Sequence, residues 1–251
     1  MSVNGKVALV TGAGSPKGIG KSIALYMAKN GYDIVVADLD GKGAAEVAEE
    51  VRVLGRKALA VTVNVTDEAS VGNMVESAVK EMGSIDVLVN CAGITQPITV
   101  LNTTLEDWNR IIAVNLTGTF LCSKAVLPYM QTKKFGRIIN ISSVSGKRGG
   151  GVYGGAHYSA SKAGVLGFSK ALARECVLDG ITVNSVCPGL IATEIRKGLS
   201  DEKERATWKS IPMERPGTVE EVACAVAFLA SEDAGYITGE DIDVNGGSHM
   251  D

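Results

Sequence analysis

Short runs of β-branched and other apolar residues alternate with longer segments of helical period along the chain, and that alternation limits the fold more than any other feature. The strand candidates are Val7–Val10, Asp33–Ala37, Ala58–Val63, Val87–Asn90, Arg137–Ile141, Thr182–Val186 and Asp241–Val244. Helical stretches lie between them near Gly18–Lys29, Ala44–Leu54, Glu68–Glu81, Leu105–Met130, Ser159–Leu178 and Val219–Ala230. Thr66-Asp67, Thr104 with Asp107, and Thr218 with Glu221 supply start signals for three of them. Strands this apolar need cover on both faces, and joining them in parallel requires right-handed crossovers through helices. The expectation is an α/β, doubly wound fold with a seven-stranded parallel sheet flanked by helices on both faces.

No repeat, linker or low-complexity tract divides the 251 residues, which predicts a single domain over 1–251. The loosest stretch, 194–216, follows the sixth strand and reads either as a mobile substrate lid or as a solvated surface helix. A net charge of −3 with no Lys/Arg block disfavours nucleic acid or an acidic membrane as partner. The longest apolar run, Val222 to Ala230, is too short to span a bilayer, and the chain enters its first strand too early for a signal peptide, so a cytoplasmic location is expected. Cys91, Cys122, Cys176, Cys187 and Cys224 form no CxxC pair, and with only His157 and His249 as imidazoles no metal site is expected. Glycine stands out at 30 residues, well above the usual roughly 7%.

Much of that glycine sits where the first strand runs into Thr11-Gly12-Ala13-Gly14-Ser15-Pro16-Lys17-Gly18-Ile19-Gly20 and a helix opens. Such a turn lets the backbone approach a pyrophosphate, whose charge meets free N–H groups at the helix start. Gly12, Gly14, Ser15, Gly18, Ile19 and Gly20 are the candidates for that contact, and the fold reads as Rossmann-like. Asp38, followed by Leu39, ends the second strand about 20 residues further on; a carboxylate there accepts from ribose hydroxyls and repels a 2′-phosphate. This favours NAD over NADP, with Lys17 as the opposing hint. Tyr158 and Lys162 lie one helical turn apart, so an ammonium stands beside a phenol and is expected to lower its pKa toward neutrality. Ser142-Ser143 brings a hydroxyl to the same edge from the fifth strand.

In order and spacing, these motifs resemble a short-chain dehydrogenase/reductase of the classical type over essentially the whole chain. Asn90-Cys91-Ala92-Gly93, Asn115, and Pro188-Gly189 followed by Ile191 and Thr193 extend the match. The resemblance implies Tyr158 as catalytic acid–base, Ser143 polarising the substrate oxygen, and Lys162 on the nicotinamide ribose. It implies Asn115 holding a water that relays protons to Lys162. Asn64-Val65 would meet the adenine where the family has Asp-Val; Asn90, Ala92 and Gly93 would form the adenine-side wall, and Pro188, Gly189, Ile191 and Thr193 would touch the carboxamide. Three departures stand out: the glycine turn is two residues longer, leaving open whether Gly12 or Gly14 is the first glycine; Cys91 replaces an asparagine; and the Ser143-to-Tyr158 interval is lengthened by glycines.

The implied activity is hydride transfer between a secondary alcohol or ketone and NAD(P), without metal. Gln96, Ser145, Arg148, Tyr153 and His157 are polar groups near the catalytic edge, and they suggest a sugar or polyol dehydrogenase using NAD; an inward Arg148 would favour an acidic, sulfonated or phosphorylated substrate. The alternative is a 3-oxoacyl-thioester reductase using NADPH. A catalytically silent cofactor-binding regulator is the non-enzyme alternative. The family's usual assembly implies a homotetramer or homodimer.

Overall fold

The computed structural model describes residues 5–150, 154–193 and 208–251. All seven expected strands are present: β1 (Val7–Thr11), β2 (Asp33–Asp38), β3 (Ala58–Thr62), β4 (Val87–Asn90), β5 (Gly136–Ile141), β6 (Ile181–Pro188) and β7 (Asp241–Val244). They form one parallel sheet in the order β3-β2-β1-β4-β5-β6-β7. The chain starts at the centre, winds outward through β3, returns to place β4 beside β1, and winds outward again. The strand order therefore reverses between β1 and β4, which opens a crevice at their carboxyl ends.

Period-two alternation divides the strands between two cores. Val10, Ile34 and Val36 pack beneath α1 (Ile19–Lys29), α2 (Gly41–Val53) and α8 (Val219–Ala230) through Ile23, Met27, Val47, Val51, Val222 and Val226. Leu9, Val35, Leu88 and Ile138 point to the other face, against Val71 and Met74 of α3 (Glu68–Met82) and helices that follow β4 and β5. Asp40 caps α2, accepting from the Lys42 N–H, so that helix starts at Gly41 rather than Ala44.

The stretch after β4 is one continuous helix of 29 residues, Leu105–Lys133. It comprises α4 (Leu105–Ile112), a π-helical turn (Ala113–Thr117) and α5 (Gly118–Lys133). By length and composition this helix could cross a membrane, a feature that Val222 to Ala230 as the longest apolar run does not reveal. Its apolar residues are used in packing: Ile111, Leu121, Cys122, Val126 and Met130 are buried. Two helices that follow β5 shape the site: the short α6 (Val144–Arg148) and α7 (Ala156–Cys176). α7 begins three residues before the expected Ser159, so Tyr158 stands in its first turn.

Candidate active site

The crevice between β1 and β4 opens into a cleft of ≈ 460 Å³ whose walls come from the glycine turn, the ends of β4, β5 and β6, and the start of α7. At one end lie Gly12, Ser15, Lys17, Gly18, Ile19 and Gly20. Gly12 has φ +68, and a Cβ there would stand 2.6 Å from the Ala92 Cα; one at Gly20 would stand 2.2 Å from the Gly12 carbonyl oxygen. These contacts give Gly12 the place of the first glycine. Gly14 turns away from the cleft: its N–H donates to the Asp38 carboxylate at 2.7 Å, and its carbonyl abuts Gly43 of α2. α1 starts at Gly18 with no side-chain cap and no acidic residue in its first turn. Its free N–H groups suit the pyrophosphate of a dinucleotide, and the cradle is one a side chain would fill.

The other candidates for the adenosine end stand around this turn with varied roles. Asp38 closes β2, and its second oxygen accepts from the Asp40 N–H at 3.0 Å. Leu39 is exposed. The Asn64 side-chain oxygen accepts from both the N–H and the hydroxyl of Thr66, so it is engaged within its own turn. Val65 packs on Gly118 of α5. Asn90 is a buried brace, donating to Asn140 Oδ1 at 2.8 Å and Ser123 Oγ at 3.1 Å. Thr11 ties β1 to β4, since its hydroxyl accepts from the Cys91 and Ala92 N–H groups. Gly93, Pro188, Gly189, Ile191 and Thr193 line the cleft. Cys91 lines it too, and burial pushes its thiol up to about 12, which keeps it neutral.

Ser143, Tyr158 and Lys162 meet on the cleft wall. Ser143 caps α6 in extended conformation, accepting from the Ser145 N–H at 3.1 Å, and its side chain stands beside the Tyr158 phenol. Lys162, one turn along α7 from Tyr158, is buried and donates to the Ile141 carbonyl at 2.7 Å; its Nζ lies 5.9 Å from the tyrosine ring centre. Burial draws Lys162 down to about 8. The expected lowering of the Tyr158 pKa is absent: burial raises it, and the Ser143 hydroxyl only partly opposes that. The cause is burial itself, since a phenolate is disfavoured where water cannot solvate it. Asn115, fully buried in the π-helical turn, exchanges bonds with the Ile94 N–H and carbonyl and donates to Ser161 Oγ at 3.0 Å, which engages its side chain within the protein.

Among the polar groups expected at the substrate end, Ser145 and Arg148 line the cleft. Gln96 does not: its amide is turned to Asp107 and Arg110. His157 is buried with both ring nitrogens unpartnered. Tyr153 lies outside the described residues, as does most of the expected lid, 194–207. Ile141, Ser142 and Gly154 also line the cleft, as do Ile94, Thr95, Val144 and Leu190, four residues that carry no sequence signal beyond their position after a strand. Away from the cleft, Asp243, His249 and Asp251 bring ligand atoms within 4.8 Å of one another, but the Lys147 ammonium already sits on both carboxylates.

Residues 12–249 match a family profile described as enoyl-(acyl carrier protein) reductase. The chain is 45% identical over 250 residues to the 3-oxoacyl-[acyl-carrier-protein] reductase of Escherichia coli, covering 100% of both. It is 44% identical over 246 residues to the enzyme of that name from Staphylococcus aureus, covering 98% of each. A crystal structure of a short-chain type dehydrogenase/reductase from Mycobacterium marinum superposes with a TM-score of 0.93 at 37% identity, over 100% of this chain and 98% of that one. Identity at this level from end to end, on a backbone that superposes throughout, makes this chain a member of the short-chain dehydrogenase/reductase family.

Proposed function

We propose that this protein reduces the ketone of a 3-oxoacyl compound, a thioester in the first instance, to the secondary alcohol. Family membership makes it an oxidoreductase that works with a nicotinamide dinucleotide. The observation that carries the ketone reading is the Ser143–Tyr158 pair on the cleft wall, in a chain that matches 3-oxoacyl reductases along its whole length. The sugar or polyol reading loses support, because Gln96 and His157 lie outside the cleft lining.

With its pyrophosphate at the glycine turn, a reduced nicotinamide dinucleotide would supply the hydride that the ketone carbon accepts. Tyr158, kept protonated by burial, donates its phenolic proton to the ketone oxygen, and Ser143 donates a hydrogen bond to the same oxygen. Lys162 stabilises the phenolate that remains and, at about 8, exchanges its own proton near neutral pH. Asn115 is a positioning residue that fixes Ile94 against α7 through Ser161. Gly12, Ser15, Gly18, Ile19 and Gly20 line the cleft where they would hold the pyrophosphate of the dinucleotide. The preferred form is NAD(H): Asp38 stands at the end of β2 with Asp40 two residues on, and two carboxylates repel a 2′-phosphate. The protein acts as a homodimer or homotetramer in the cytoplasm.

The test is a panel with NADH and NADPH: acetoacetyl and crotonyl thioesters of N-acetylcysteamine for reduction, and sugars and polyols for oxidation. Ketone reduction that disappears in Tyr158→Phe while NADH binding persists is the expected result. Faster turnover of the crotonyl thioester or of a polyol would overturn the reading.

A further inference from the structure

Among the described residues, the charged ones lining the cleft are Lys17, Arg148 and Lys162, with no carboxylate beside them. Lys162 is buried and donates to the Ile141 carbonyl, and Lys17 belongs to the glycine turn at the dinucleotide end. Arg148 stands apart from both. It ends α6, the short helix that Ser143 caps, with Ser145 between them. Arg148 stands five positions after Ser143, roughly 7 Å of helix rise.

Its neighbour Lys147 pairs with Asp243 and Asp251, whereas Arg148 forms no ion pair among the described residues. Its Nη1 donates to the Ser248 carbonyl at 2.8 Å, which orients the guanidinium without neutralising it. Ser248 is itself held, since the turn at the end of the chain is closed by the Ser248 N–H to the Asn245 carbonyl and by Asn245 Nδ2 to the His249 carbonyl. An anchored guanidinium loses little freedom on binding, and its remaining N–H groups form a fork that matches an oxyanion.

We infer that Arg148 binds an anionic group of the substrate, a carboxylate, sulfonate or phosphate a few bonds from the ketone. The substrate is then an oxo acid, or an oxoacyl chain that carries an acid. The inference rests on ketone reduction at Ser143 and Tyr158, and it adds what the rest of the molecule must carry.

Calorimetric titration of the protein loaded with NAD+, which cannot reduce them, tests it with four methyl ketones of similar size: acetoacetate, 2-oxopropanesulfonate, 2-oxopropylphosphonate and the neutral methyl acetoacetate. At least one anion is expected to bind about tenfold or more tightly than the ester, as a charge-assisted pair allows. Arg148→Gln should erase that preference and Arg148→Lys should restore part of it; the tightest of the three anions names the group. Equal binding of ester and anions by the wild type, or a preference that survives Arg148→Gln, would overturn the inference. Turnover of the same ketones with NADH, and its loss in Tyr158→Phe, reports separately on the reductase reading.

Discussion

At the scale of single residues, the site runs on groups held away from their ordinary ionisation. Lys162 is drawn by burial from 10.5 to about 8, so the folded state disfavours its ammonium. That cost is fully present below about pH 8 and is relieved as pH rises from there toward 10.5. Lys162→Met is therefore expected to stabilise the fold at pH 7 by up to about 3 kcal/mol while turnover is lost. Thermal unfolding at pH 7 and pH 10 checks this, with the gain shrinking at the higher pH. Asp38 sets a second expectation. Asp38→Asn removes a carboxylate from the adenosine end but keeps an oxygen for the Gly14 and Asp40 N–H groups, so kcat/KM with NADPH relative to NADH should rise about tenfold. The identities of Ser143, Tyr158 and Lys162 were legible in the sequence because helical spacing and strand ends are local properties. The ionisation of Tyr158 was not, because it depends on how deeply the phenol is buried, and that is set by packing across the whole site.

Elements place these residues through their ends. The glycine turn joins β1 to α1 only because Gly12 takes a left-handed backbone against Ala92. Gly12→Ala adds left-handed strain of about 1–2 kcal/mol and a collision with the β4 loop, and should weaken NADH binding at least about tenfold in a fluorescence titration. Gly72 is the contrast. It lies inside α3 with open space around its missing Cβ, so Gly72→Ala should raise stability by about 0.5–1 kcal/mol in denaturant unfolding. At α8, Thr218 and Glu221 form the expected capping box, and Thr218→Ala should cost about 1 kcal/mol. The caps at Asp67, Thr104 and Thr218 were readable from the sequence, whereas the Asp40 cap of α2 was not. The π-helical turn around Asn115 and the short α6 were not, since neither leaves a periodic apolar pattern.

For the whole molecule, the long helices carry apolar surface that the single chain leaves open. Leu105, Trp108 and Phe120 are exposed on Leu105–Lys133, and Phe120 meets Phe168 of α7 edge to face at 6.2 Å. Light scattering should give two or four times 26.1 kDa, and Phe120→Glu should lower that mass. The sequence by itself determined the parallel sheet, its helical cover and the residues at its carboxyl edge. Apolar periodicity, caps and glycine turns act over a few neighbours, and a parallel sheet is the one arrangement that covers such strands on both faces. Only the tertiary structure decided which polar groups face the cleft. Gln96 and Arg148 look alike as candidates in the sequence, yet one is captured by Asp107 and Arg110 while the other lines the cleft and is held by a carbonyl 100 residues away. Side-chain direction is set by partners distant in the chain, and no local pattern encodes them.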